Sequence, residues 1–170
     1  MEFQSCFDII GPIMVGPSSS HTAGVVSIGK FIYELLEDCP QEANIVFYDS
    51  FAETYQGHGT DKALLGGLLG METDDPRIKY SLEWAKKDGM QYRFEFAEGC
   101  MYYDHPNITI VTAKCEDHVV KVGGVSLGGG LSKIFMIDEE KVDIRLSAGD
   151  DFKDLARHYQ PKRKRLMGAK

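Results

Sequence analysis

His58 stands between two glycines in the run Gly57-His58-Gly59-Thr60-Asp61. The glycines leave room around the imidazole and allow unusual backbone angles. The side chain whose unperturbed pKa lies nearest neutrality suits proton transfer. Asp61 is a candidate to orient the ring, and Thr60 or Asp61 can cap a following helix. A surface turn accounts for the same residues without any chemistry.

A second run, Gly16-Pro17-Ser18-Ser19-Ser20-His21-Thr22-Ala23-Gly24, leads small residues directly into a helical pattern. The first N–H groups of a helix lack intrahelical partners, and its dipole favours an anion at that end. Ser18, Ser19, Ser20 and Thr22 add hydroxyl donors. The set suits a carboxylate or phosphate, although serine also caps helices that bind nothing. His21 is what a plain capping loop explains poorly. Two weaker segments follow, His105-Pro106-Asn107 and Gly128-Gly129-Gly130. Pro106 holds His105 extended, and the glycines permit close approach by a ligand or another chain.

These segments need elements to position them. Val25, Ile28, Phe31, Ile32, Leu35 and Leu36 form one stripe of a helix over 22–38, which Pro40 ends and Ser20 or Thr22 can cap. Residues 44–52 read as a strand, followed by a glycine turn at Gly57 and Gly59 and a helix over 60–69. Pro76 opens a helix over 76–88 that closes at Gly89. Tyr92, Phe94 and Phe96 alternate with polar residues as a half-buried strand. Strands over 107–115 and 118–127 follow, with short ones over 133–137 and 141–146. Helices followed by strands in succession predict an α+β fold with a largely antiparallel or mixed sheet.

The 170 residues suffice for one domain with a core. The net charge is −7, while Lys162, Arg163, Lys164, Arg165 and Lys170 make the last ten residues basic. An acidic body argues against a nucleic-acid partner. No run reaches the length of a membrane span, and the start lacks the pattern of a signal peptide. A cytoplasmic protein with reduced thiols is expected. Cys6, Cys39, Cys100 and Cys115 show no short ligand spacing, so no metal site is expected on this chain.

Taken in order, Phe7-Asp8, Gly16 to Thr22, Tyr48-Asp49-Ser50-Phe51-Ala52, Gly57 to Asp61, His105-Pro106-Asn107 and Ser126 to Gly130 resemble the β chain of iron–sulfur-dependent L-serine dehydratases. The resemblance covers about residues 6–137. It implies cleavage of L-serine to pyruvate and ammonia without pyridoxal phosphate. It also implies a 4Fe-4S cluster held by a separate α subunit, whose open iron assists departure of the substrate hydroxyl. The fold would be similar to the allosteric substrate-binding domain of some phosphoglycerate dehydrogenases.

The expected roles follow. His58 is the base for the α-proton, with His21 as the alternative. Ser18, Ser19, Ser20, Thr22, Gly57, Gly59, Thr60, Asp61, Asn107 and Gly129 line the substrate. The chain is expected to work as an oligomer with the α subunit. A dehydratase domain over 1–148 and a short basic tail over 149–170 are expected. Many such β chains continue into an amino-acid-binding ACT domain, and none is expected within these 170 residues. A non-catalytic module that binds serine or another small anion is the competing reading, and a structural subunit sealing the partner's site is another.

Overall fold

The computed structural model describes residues 22–160. Ser18, Ser19, Ser20, His21, Cys6 and residues 161–170 lie outside the described residues.

Helix α1 (Ala23–Leu36) buries nearly its whole apolar stripe, including Val25, Ile28, Phe31, Ile32 and Leu35. It ends at Glu37 in the left-handed region, ahead of Pro40. Strand β1 (Glu42–Tyr48) alternates inward Ala43, Ile45 and Phe47 with outward residues. Helices α2 (Asp49–His58) and α3 (Thr60–Leu68), a 3₁₀ turn (Pro76–Tyr80) and α4 (Ser81–Lys87) then carry the chain back to β2 (Gln91–Ala97). β3 (Ile108–Cys115), β4 (His118–Gly128), β5 (Leu131–Ile137) and β6 (Glu140–Leu146) follow in a meander. A last helix, α5 (Phe152–Arg157), packs Phe152 and Ala156 into the main core, in a segment where no element was expected.

The sheet runs β2-β1-β3-β4-β5-β6. β1 and β2 are parallel, and the other neighbours are antiparallel. The expected α+β fold with a mixed sheet is what forms. The parallel pair follows from the helices between its strands, a connection long enough for a crossover.

Two boundaries differ from expectation. The strand read over 44–52 ends at Tyr48, because Asp49 takes a φ of 47° and turns the chain into α2. Asp tolerates that region, and its carboxylate accepts from Gly99 N–H at 2.9 Å. Phe51 and Tyr55 are then four apart on one face of α2, and both rings pack on Phe47. The helix expected over 76–88 divides into the 3₁₀ turn and α4.

α1 and α3 cross at glycine. A Cβ on Gly67 would lie 2.3 Å from Val26 O, and one on Gly29 2.6 Å from Leu64 O. This contact holds the second half of α3 against the first half of α1. On the sheet's opposite face Ile108, Ile110, Val125, Phe135 and Met136 form a second cluster. Tyr103 stacks on Phe135 at 4.8 Å.

Candidate active site

Among the described residues α1 begins without a side-chain cap. Thr22 holds the capping position, but its hydroxyl accepts nothing from the first turn. It donates instead to the backbone carbonyl oxygen of His58, at 3.2 Å. Its own carbonyl accepts from Val26 N–H at 2.9 Å. No acidic side chain occupies the first turn. The leading N–H groups therefore lack intrahelical acceptors, and the helix presents its positive end there.

His58 closes α2, half-buried, ahead of Gly59 in the left-handed region at φ 71°. Gly57 is not part of a turn, as expected from its neighbours, but a helical residue in the last turn of α2. A Cβ on Gly57 or Gly59 would meet nothing within 4 Å. Both glycines thus face open space, while Nδ1 of His58 itself is buried. Gly59 also takes the capping position of α3, where neither Thr60 nor Asp61 caps. The sequence overlooked that a left-handed glycine can end one helix and begin the next. Asp61 is buried in the first turn of α3 and accepts from Lys62 N–H at 2.8 Å. Burial pushes its pKa above the usual aspartate value, against the lowering effect of that hydrogen bond.

The β4–β5 hairpin faces the same helix start. A Cβ on Gly24 would lie 2.3 Å from Ser126 Oγ and 3.3 Å from Leu131 O. Ser126 and Ser132 are opposite each other across the hairpin, and both are buried. Their hydroxyls, and that of buried Thr60, have no hydrogen-bond partner among the described residues. Buried hydroxyls are ordinarily paired, so these three hold donors not used among the described residues. Gly128, Gly129 and Gly130 all have positive φ and form the turn beyond Ser126, with Gly129 at its exposed tip.

The loop before β3 joins through Asn107. Its carbonyl accepts from Ser126 N–H at 3.0 Å, and Pro106 O accepts from Ser50 N–H at 3.0 Å. Asn107 N–H donates to His105 Nδ1 at 3.0 Å. Burial holds the His105 pKa below its ordinary value, opposed by Asp104. The bond to Asn107 acts the same way, since Nδ1 can accept only while unprotonated.

A chain of contacts thus joins His58, Thr22, Gly24, Ser126 and Asn107. Sequence reasoning found His58, Thr22 and Asn107. It did not single out Ser132, and it treated Gly24 and Ser126 only as parts of motifs. The signal available was a small hydroxyl residue within each of two neighbouring strands.

Among the described residues no group of three or more His, Cys, Asp and Glu is placed to hold a metal ion. Among the described residues Cys115 is buried, and burial with nearby Asp88 pushes the Cys39 thiol up to about 11.

Comparison with known proteins defines the class. The family described as serine dehydratase beta chain matches residues 5–91, and this chain belongs to that family. It is similar to the probable L-serine dehydratase, beta chain, of Bacillus subtilis (strain 168), 43% identical over 147 residues. That alignment covers 86% of this chain and 65% of the relative. The L-serine dehydratase, beta chain, of Peptoniphilus asaccharolyticus is 43% identical over 142 residues, covering 83% and 64%. The L-serine dehydratase TdcG of Escherichia coli (strain K12) is 29% identical over 177 residues, covering 87% and 37%. The chain spans 65% and 64% of the length of the first two relatives. Among the described residues no helix is long and apolar enough to cross a membrane.

Proposed function

We propose that this chain supplies half of an L-serine dehydratase active site, completed by a cluster-bearing α subunit in the cytoplasm. The observation that carries the reading is the Thr22–His58 hydrogen bond, which joins the end of the serine-rich run to the glycine-flanked histidine. The names of the relatives support the substrate.

In this reading the α-carboxylate of serine lies at the uncapped start of α1. Ser126, Ser132 and Thr60 donate from below, and Ser18, Ser19 and Ser20 from the preceding run. The Gly128–Gly130 turn lets the hairpin backbone approach the substrate. His58 takes the α-proton while the β-hydroxyl departs, and the proton held by His58 passes to that hydroxyl to give water. The enamine rearranges to an imine, which water hydrolyses to pyruvate and ammonia. His21 is the alternative base. The 4Fe-4S cluster, held by the α subunit, supplies a Lewis acid for the leaving hydroxyl. No ligand to it is assigned to this chain, and pyridoxal phosphate has no role. Thr22 gives its one proton to His58 O and so positions the histidine.

Anaerobic co-expression with the cluster-bearing chain tests the reading. Pyruvate formed from L-serine by the assembled pair, and by neither chain alone, is the expected result. Serine binding by this chain with no pyruvate from the folded, cluster-loaded pair would favour the non-catalytic module instead.

A further inference from the structure

Among the described residues β2 is one of the two edges of the sheet, and its charged side chains are Arg93 and Glu95 alone. Exposed edges are usually blunted by proline, lysine or a bulge. β6, the opposite edge, carries Glu140, Lys141, Asp143 and Arg145, and its register against β5 is interrupted. β2 contains neither proline nor lysine, and it pairs with β1 without a break over Gln91–Ala97.

The direction of its backbone groups is fixed. Gln91 N–H donates inward to Gln41 O at 2.8 Å. Alternate residues therefore turn the other way, so Tyr92, Phe94 and Phe96 present their N–H and C=O groups outward. Their rings lie on the helix side of the sheet, where Phe94 stacks on Phe47 at 5.6 Å and Phe96 lies 4.6 Å from Tyr55. Phe96 is nevertheless 47% exposed. Arg93 and Glu95 share the other face, 2.7 Å apart.

We infer that a second copy of this chain adds antiparallel to β2 about a two-fold axis through Phe94, making one continuous sheet across both copies. A two-fold axis normal to the sheet keeps the faces matched, so it must pass through a residue position. An axis through Arg93 sets Arg93 against itself, and an axis through Glu95 sets Glu95 against itself. Only the axis through Phe94 sets Arg93 of each copy opposite Glu95 of the other. The same register sets Tyr92 opposite Phe96, which covers the exposed ring. Arg93 and Glu95 then form non-hydrogen-bonded pairs, in which side chains approach most closely, with Cα atoms about 4.5 Å apart. Opposite charges facing each other there are stabilising, and like charges are not. Charge complementarity thus selects both the partner and the register.

Sedimentation velocity on the full chain at micromolar concentrations tests this. The wild type should be a dimer. Arg93→Glu and Glu95→Arg alter side chains that are 74% and 44% exposed, so both variants should fold. Each turns two attractive pairs into repulsive ones and should weaken the dimer roughly tenfold or more. The double variant carrying Arg93→Glu and Glu95→Arg restores the pairing with its signs exchanged, and should return dimerisation to near the wild-type level. A monomeric wild type, a dimer indifferent to the single changes, or a double variant no tighter than the singles would each overturn the proposal.

Discussion

Thr22 Oγ1 donates to the carbonyl oxygen of His58 at 3.2 Å, between residues 36 apart in the sequence. Thr22 is 1% exposed, so the bond is shielded from water on that side. It ties the end of α2 to the start of α1, and with it the imidazole to the anion-favouring helix end.

Thr22→Val keeps the shape and removes the donor. The loss should cost about 1–3 kcal/mol of stability, because a carbonyl in a partly buried place loses its partner. In the assembled enzyme kcat should fall more than KM rises, since the histidine moves while the carboxylate site stays. Thr22→Ser should restore both. Thermal unfolding and steady-state kinetics of the three proteins check this, and an equal loss in the serine variant would rule out the hydroxyl as the cause.

Ser126 and Ser132 hold buried hydroxyls without partners among the described residues. Changing either to alanine should leave stability unchanged or raise it, by up to about 1–3 kcal/mol, the cost of an unpaired buried polar group. If they bind the substrate carboxylate, KM should rise roughly tenfold. Stabilised variants with normal KM would remove both residues from the site.

Gly67 has no room for a side chain, with Val26 O at 2.3 Å and Lys30 N at 2.8 Å from a Cβ placed there. Gly67→Ala should destabilise the fold by about 1–3 kcal/mol or more through overpacking against backbone. Gly57→Ala, in open helix, should instead gain about 0.5–1 kcal/mol. Denaturant melts of the two variants give opposite signs if the α1–α3 crossing is as described.

Asp61 has a pKa raised by burial in the folded chain. The folded state then binds its proton more tightly than the unfolded state. Its contribution is fully present below the ordinary value of 3.8 and is lost as pH rises through the folded value. At neutral pH the buried carboxylate therefore costs stability. Asp61→Asn keeps an acceptor for Lys62 N–H and should melt higher than the wild type at pH 7. The difference should shrink as the pH is lowered towards 3.8. A variant that melts lower at pH 7 would show that the charge has a stabilising partner.

Local patterns carried much of the fold. The stripe from Val25 to Leu36 and the alternation from Tyr92 to Phe96 each matched one periodicity and formed the expected element. Asp49 did not follow from local pattern, because its left-handed turn depends on Gly99 N–H, fifty residues away. The aromatic content of Tyr48 to Phe51 favoured strand, while the four-residue step from Phe51 to Tyr55 was the helical signal. In the candidate site, His58 was legible from its glycines. Ser132 was not, because its meaning depends on Ser126 and Gly24, which only the β4–β5 register and the packing of α1 bring beside it. The parallel β1–β2 pair was likewise a matter of how four intervening helical elements fold back.

The role of His58 is the centre of the account, and the turnover of its variant tests it most directly. The measurement is kcat for pyruvate formation from L-serine by the anaerobically assembled enzyme carrying His58→Asn, beside the wild type. A positioned general base contributes roughly 10²–10⁴-fold. The expected result is a kcat lower by about that factor, with the cluster retained, serine still bound and an α-deuterium isotope effect that persists or grows. A variant with near-normal kcat, while His21→Ala abolishes turnover without weakening binding, would contradict the assignment and place the base on His21.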